Sequence, residues 1–210
     1  MIPFAELIRR HNLKITGVIH CGANLAQEKE LYDQLIDGEV LWIEALPDVF
    51  ERMKIMIQPF HRQTAIKACL SNVDGKTVAF NISSNDAQSS SYLEFGEHLK
   101  IHPDVSFVDC VALKTMRLDT LFNLLERDIS KINFLNLDLQ GAELDALQGA
   151  GKILNQIDYI LTECNNKRTY VGCPLVTDLD DFLSDFHRVE TGEWVGECWT
   201  DCLYVRKSLL

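Results

Sequence analysis

Over the first 70 residues the apolar positions alternate between two rhythms. Short apolar runs, "ITGVIHC" (15–21), "EVLWIEA" (39–45) and "QTAIKACLS" (63–71), are bounded by glycine or polar residues. Runs this short without a polar face predict strands buried on both sides. Between them apolar residues recur at helical spacing: Phe4, Leu7 and Ile8 in 3–12, and Leu25, Leu31, Leu35 and Ile36 in 24–37. A third helix is predicted through Phe50, Met53 and Ile57, with Pro47 suited to its first turn. Strand and helix in strict alternation predict a parallel sheet covered by helices.

The middle of the chain breaks the rhythm. Residues 74–83 read as an extended segment after an Asp-Gly turn, and the polar stretch 84–92 as a surface loop. Residues 105–116 predict another strand, and 118–126 a short helix capped by Asp119. Alternation then resumes: strand 132–139, helix 142–154, strand 158–163, helix 178–186. The last two strand-like segments, 187–196 and 198–207, are expected to pair antiparallel. No repeat or linker interrupts this order, so residues 1–210 are expected to form one domain, with 1–15 a helical lead into the sheet.

Composition narrows the partners. A chain with 47% hydrophobic and 24% charged residues reads as a soluble globular protein. Its net charge of −11 opposes nucleic acid and anionic membranes as partners. No window approaches the ~20 apolar residues that span a bilayer, and the N-terminal segment lacks a signal-peptide core. Seven cysteines, none spaced C-x-x-C, suggest a reducing, cytoplasmic setting. Cys21, Cys69, Cys110 and Cys164 read as small buried hydrophobes. Cys173, His187, Cys198 and Cys202 match no standard zinc spacing, and no metal site is assigned. Magnesium at Asp138 with Glu163 is an alternative, since carboxylate oxygens suit that ion. Oligomeric state is not legible.

In a doubly wound sheet, ligands bind beyond the C-terminal ends of the strands. Those ends carry His20 to Asn24, Glu44, Leu70 to Asn72, Asp138 to Gly141, and Glu163. Gly22 is expected to let the chain pass close to a ligand, and Asn24 to cap the next helix. Glu44 lies 22 positions after Gly22, where an acid grips ribose hydroxyls. Nicotinamide dinucleotides and S-adenosylmethionine both use that arrangement. A pyrophosphate wants G-x-G-x-x-G, and "GANLAQ" offers one glycine, so S-adenosylmethionine is the expected cofactor. The alternatives are an NAD(P)-dependent oxidoreductase and a non-catalytic binding module that has lost its cofactor.

The most specific stretch is "NLDLQGAELDALQGA". With "HCGAN", "WIEALPDVFERM", "LSNVDGK", "SSSY", "LDTL", "ILTE" and "WTDCLYVR", the chain resembles the FkbM-type methyltransferases from about residue 17 to residue 206. The resemblance implies a Rossmann-like class I methyltransferase fold, α/β, with a mostly parallel seven-stranded sheet and a C-terminal antiparallel strand pair. It implies methyl transfer from S-adenosylmethionine to a hydroxyl of a small-molecule or glycan acceptor, such as a sugar or glycosylated metabolite. By position, His20, Gly22, Ala23 and Asn24 face the methionine and ribose part, Glu44 with Ala45 the ribose, and Ser71 and Asn72 the adenine. Asp138, Leu139 and Gln140 stand beside the transferring methyl. Glu143 and Glu163 line the acceptor side or orient its neighbours. Asp138 is the expected base, with His20 second. Two polar loops, carrying Ser90 and Tyr170, are expected on the acceptor side. Two departures stand out: His20 where the family turn usually begins with Asp, and Ala26 where it usually has a second glycine.

Overall fold

A computed structural model describes residues 2–210; Met1, the start of the N-terminal segment read above, lies outside them. Five parallel strands form the centre: β1 (Val18–Cys21), β2 (Val40–Glu44), β3 (Gln63–Lys67), β7 (Phe134–Leu137) and β8 (Tyr159–Asn165). With β9 (Phe186–Thr191) and β10 (Trp199–Arg206) they make a seven-stranded sheet of order β3-β2-β1-β7-β8-β10-β9. Only β10 runs against the rest, between β8 and β9.

The continuous apolar runs follow from burial on both faces. In β2, Val40 and Trp42 belong to one core and Leu41 and Ile43 to the other. The first core is covered by α1 (Phe4–His11), α2 (Lys29–Leu35) and α3 (Pro47–Ile57), through residues such as Leu7, Tyr32 and Met53. The second is covered by α5 (Leu118–Leu124), α6 (Glu143–Gly149) and α7 (Val176–Phe182), through Leu121, Leu147 and Leu179. Helix α3 shows why: Val49, Met53 and Ile57 are buried at four-residue spacing, behind a proline in the first turn.

Several expectations shift. The third apolar run divides: after β3 the chain leaves the large sheet, and β4 (Cys69–Leu70) joins β5 (Thr77–Ser83) and β6 (Phe107–Met116) in a second sheet of order β4-β6-β5. A single turn, α4 (His98–Ile101), precedes β6. Asn24 does not cap α2, which begins five residues later, after Glu28. Asn24 instead takes φ 44°, and its side-chain oxygen accepts from the Leu25 amide at 2.9 Å. Asp119 lies inside α5, not at its cap; it accepts the amides of Lys152 and Ile153 and so caps a 3-10 turn at Ile153–Gln156. For Asp119 a tertiary partner decides, not the local sequence. The helix expected at 142–154 ends at Gly149, and α7 begins two residues early. Cys110 is exposed on the hairpin, whereas Cys21, Cys69 and Cys164 are buried. Among the described residues no helix is long and apolar enough to cross a membrane.

Candidate active site

The C-terminal ends of the central strands open into a cavity of about 470 Å³, within the range of small-molecule sites. The sheet register sets its floor. Cys21 pairs with Leu137, Leu137 with Thr162, and Glu163 with Asp201. Gly22, Asp138, Glu163 and Asp201 therefore form a row across four neighbouring strands, each step about 4.8 Å.

The turn after β1 is held by the protein itself. The amides of Gly22 and Ala23 both donate to the Ile43 carbonyl at 3.0 Å. The Asn24 amide donates to Glu44 Oε2 at 2.9 Å, and the Ala26 amide to the Ala23 carbonyl at 2.8 Å. With Leu25 bonded to the Asn24 side chain, every amide from Gly22 to Ala26 is engaged. Gly22 has φ +82°, and a Cβ there would fall inside the Asp138 carbonyl. Its lack of a side chain therefore makes room for the neighbouring strand end.

Glu44 lines the cavity and is buried. Its Oε1 accepts from the Ala45 and Leu46 amides, both at 2.8 Å. With Asn24 on Oε2, three of about four acceptor positions are filled. Burial pushes its pKa up to about 7 despite those donors.

Asp138, Gln140, Glu163 and Tyr170 form one chain of hydrogen bonds. Gln140 Nε2 donates to Asp138 Oδ1 at 2.6 Å and approaches Glu163 Oε2 at 3.3 Å. Gln140 Oε1 accepts from the Tyr170 hydroxyl at 2.6 Å. Gln140 itself is left-handed, φ 52°, with its carbonyl held by Ser91 Oγ at 2.9 Å. Burial raises Asp138 to about 6; burial and then the nearby Asp138 raise Glu163 well above the usual range.

His20 lines the cavity from β1, but its Nδ1 meets the Tyr32 hydroxyl at 3.2 Å and Asn136 Nδ2 at 3.3 Å. Its ring packs on Trp42, and burial lowers its pKa, so it is held neutral.

Of the residues read from the sequence, His20, Gly22, Ala23, Asn24, Glu44 and Ala45 meet at this cavity. So do Ser90, Asp138, Leu139, Gln140, Glu163 and Tyr170. Ser71, Asn72 and Glu143 do not. Ser71 is buried beside it, and Asn72 donates outward to Asp145 and Gln148. Glu143 is fully buried; its Oε1 holds the amides of Leu139 and Gly141, and so fixes the turn that presents Asp138. The structure adds Glu28, Ser89, His98, His102, Trp199 and Asp201 to the lining. His98 Nε2 bonds Ser89 Oγ at 3.0 Å while its ring stacks on Phe95. The loop that carries Ser89 and Ser90 is tied across the cavity by Asn24 Nδ2, which donates to the Asp86 carbonyl at 3.0 Å.

This lining discriminates between the two cofactors. Five carboxylates face the cavity, Glu28, Glu44, Asp138, Glu163 and Asp201, and among the described residues no lysine or arginine does. The amides of Gly22 to Ala26 are already engaged and offer nothing to a pyrophosphate. A sulfonium with an ammonium group suits such an acidic site better than a dinucleotide does.

The model of the Methyltransferase FkbM domain matches residues 20–190. The chain belongs to the FkbM methyltransferase family. It is an S-adenosylmethionine-dependent methyltransferase, and the oxidoreductase and cofactor-free readings fall away. It is similar to 2-O-methyltransferase NoeI of Sinorhizobium fredii (strain NBRC 101917 / NGR234), 24% identical over 179 residues, covering 82% of this chain and 72% of NoeI. Among solved structures it is similar to magnesium protoporphyrin IX methyltransferase (ChlM) from Synechocystis PCC 6803 with bound SAM: TM-score 0.54, 12% identity, 97% of this chain and 76% of the other. A protein of the NADB-Rossmann superfamily from Streptococcus agalactiae gives TM-score 0.54 at 10% identity, covering 98% and 69%. At those identities the likeness establishes the Rossmann-like fold.

The raised carboxylates of this FkbM enzyme carry a stability consequence. Glu44, Asp138 and Glu143, at about 7, 6 and 7, bind their protons more tightly folded than unfolded. The resulting stability is full below the unfolded pKa near 4 and is lost as pH rises through about 7. For Glu44 alone the window corresponds to ~3 kcal/mol. The cofactor-free protein is expected to melt at a higher temperature at pH 5 than at pH 7.5, as read by a thermal denaturation series. A flat or rising profile would show these groups ionised in the fold.

Proposed function

We propose that this methyltransferase is an O-methyltransferase acting on a hydroxyl of a sugar, in a glycan or glycosylated metabolite, and that residues 1–210 form one catalytic domain. The observation that carries the reading is the Asp138–Gln140–Glu163–Tyr170 chain at the strand ends. Bound S-adenosylmethionine supplies an electrophilic methyl group on a sulfonium. Glu44 has one acceptor position left for a ribose hydroxyl. Asp138 would take the proton of the acceptor hydroxyl as that oxygen is methylated. Gln140 holds Asp138 in place, and Glu163, joined to it through Gln140, stands beside it where it can orient the acceptor. Ser90, Tyr170 and the histidines His98 and His102 offer further partners for a polyol. The acidic lining disfavours acceptors that carry phosphate or carboxylate. NoeI, a 2-O-methyltransferase by name, supports oxygen as the methylated atom.

Calorimetry tests the cofactor side: S-adenosylmethionine is expected to bind and NAD not to. Transfer of labelled methyl to matched acceptors tests the rest. Neutral glycosides are expected to be methylated and their phosphorylated counterparts not. Preferential transfer to the phosphorylated member, or to an amine nitrogen, overturns the reading.

A further inference from the structure

The end of β1 carries no acid: its cavity-lining side chain is His20, neutral and already engaged by Tyr32 and Asn136. A positive ammonium on the amino-acid part of the cofactor still needs a counter-charge. Eight residues on, Glu28 precedes α2, lines the cavity and is partly exposed to it. Among the described residues its carboxylate accepts no hydrogen bond and forms no ion pair. It lines the same cavity as His20, Asp138 and Asp201, and it lies close enough to act electrostatically on all three. Glu44, at the end of β2, instead spends most of its acceptor capacity on the turn.

We propose that Glu28 is the ammonium-binding residue of the cofactor site, supplying from the start of α2 the charge that the β1 turn lacks. This rests on the cofactor placement given above. It explains why the turn works with histidine at position 20: the charge has moved along the chain, and the strand end is free to pack on Trp42. Charge-assisted pairs in a partly desolvated site are the strong ones, and removing one partner weakens binding markedly.

Binding of three probes to wild type and Glu28→Gln decides it. S-adenosylmethionine and S-adenosylhomocysteine both carry the ammonium; 5′-methylthioadenosine lacks the whole amino-acid part. The variant is expected to bind the first two about 10- to 100-fold more weakly and methylthioadenosine unchanged, which also reports an intact pocket. Equal losses for all three would assign Glu28 a structural role. A loss confined to S-adenosylmethionine would assign it to the sulfonium. No loss would remove it from the site. Each of these overturns the proposal. Wild-type protein that binds none of the probes sinks the cofactor placement itself, a separate result.

Discussion

Asp138→Asn is expected to lower kcat by roughly 10²- to 10⁴-fold, the usual worth of a positioned base, while the Kd for S-adenosylmethionine changes only a few-fold. The asparagine keeps the shape and the Gln140 contact but cannot take a proton. Gln140 Nε2 holds Oδ1 at 2.6 Å, and among the described residues Oδ2 accepts no hydrogen bond, so one oxygen is available to an acceptor. Burial is the largest cause of the raised pKa; Gln140 opposes it, and Asp201 and Glu28 add repulsion. A base near 6 is ionised at neutral pH yet more basic than an ordinary aspartate. The sign follows: the deprotonated form is active, so kcat should rise with pH through about 6 and level off above it. The asparagine variant should lose that limb. Methyl-transfer rates from pH 5 to 8.5 check both. Turnover near the wild-type level, with binding intact, would mean that Asp138 only shapes the turn.

Much of this site was legible because strand ends in an α/β sheet converge. Apolar runs located the strands, and the residue after each run located the floor: Gly22, Glu44, Asp138 and Glu163 all arrive where that rule puts them. The rule is blind to an antiparallel strand. Asp201 lies early in β10, next to Glu163, because β10 enters the sheet the other way round. It is equally blind to the second sheet, whose excursion from Cys69 to Met116 brings Ser89 and His98 over the cavity. Asn72 misled for the opposite reason: it follows a strand end, but that strand, β4, belongs to the smaller sheet and turns its neighbour toward α6. Glu143 was read as lining the acceptor side or orienting its neighbours; its polar contacts run to the turn amides, so of the two it is placed for the second. A polar residue near a strand end can face ligand or backbone, and spacing alone does not separate them. Glu28 carried a signal that went unread: an acid eight residues after the histidine that replaces the expected one.

Gly22→Ala is the second large effect, and it separates two reasons for a glycine. If Gly22 only made room for ligand, alanine would weaken cofactor binding and leave the fold intact. The structure gives a different reason. At φ +82° an alanine is strained by about 1–2 kcal/mol, and its Cβ would overlap the Asp138 carbonyl. Neither backbone can retreat. The Gly22 amide is bonded to Ile43 and the Asp138 amide to Cys21, both at 3.0 Å, and both strands are buried on two faces. The combined loss is expected to exceed about 3 kcal/mol, a size reserved for core clashes and backbone conflicts. In a chain of this length that lowers Tm by roughly 10 °C. Gly75 supplies the control: it has φ +74° but nothing within 4 Å of an added Cβ. Gly75→Ala should therefore show the conformational strain alone, about 1 kcal/mol. A Gly22→Ala protein that melts like Gly75→Ala, and loses only cofactor affinity, would return the glycine to the ligand. The expected outcome ties it to the row of strand ends, because the distance between Gly22 and Asp138 sets how closely β1 and β7 finish side by side, and hence where the base stands relative to the cofactor.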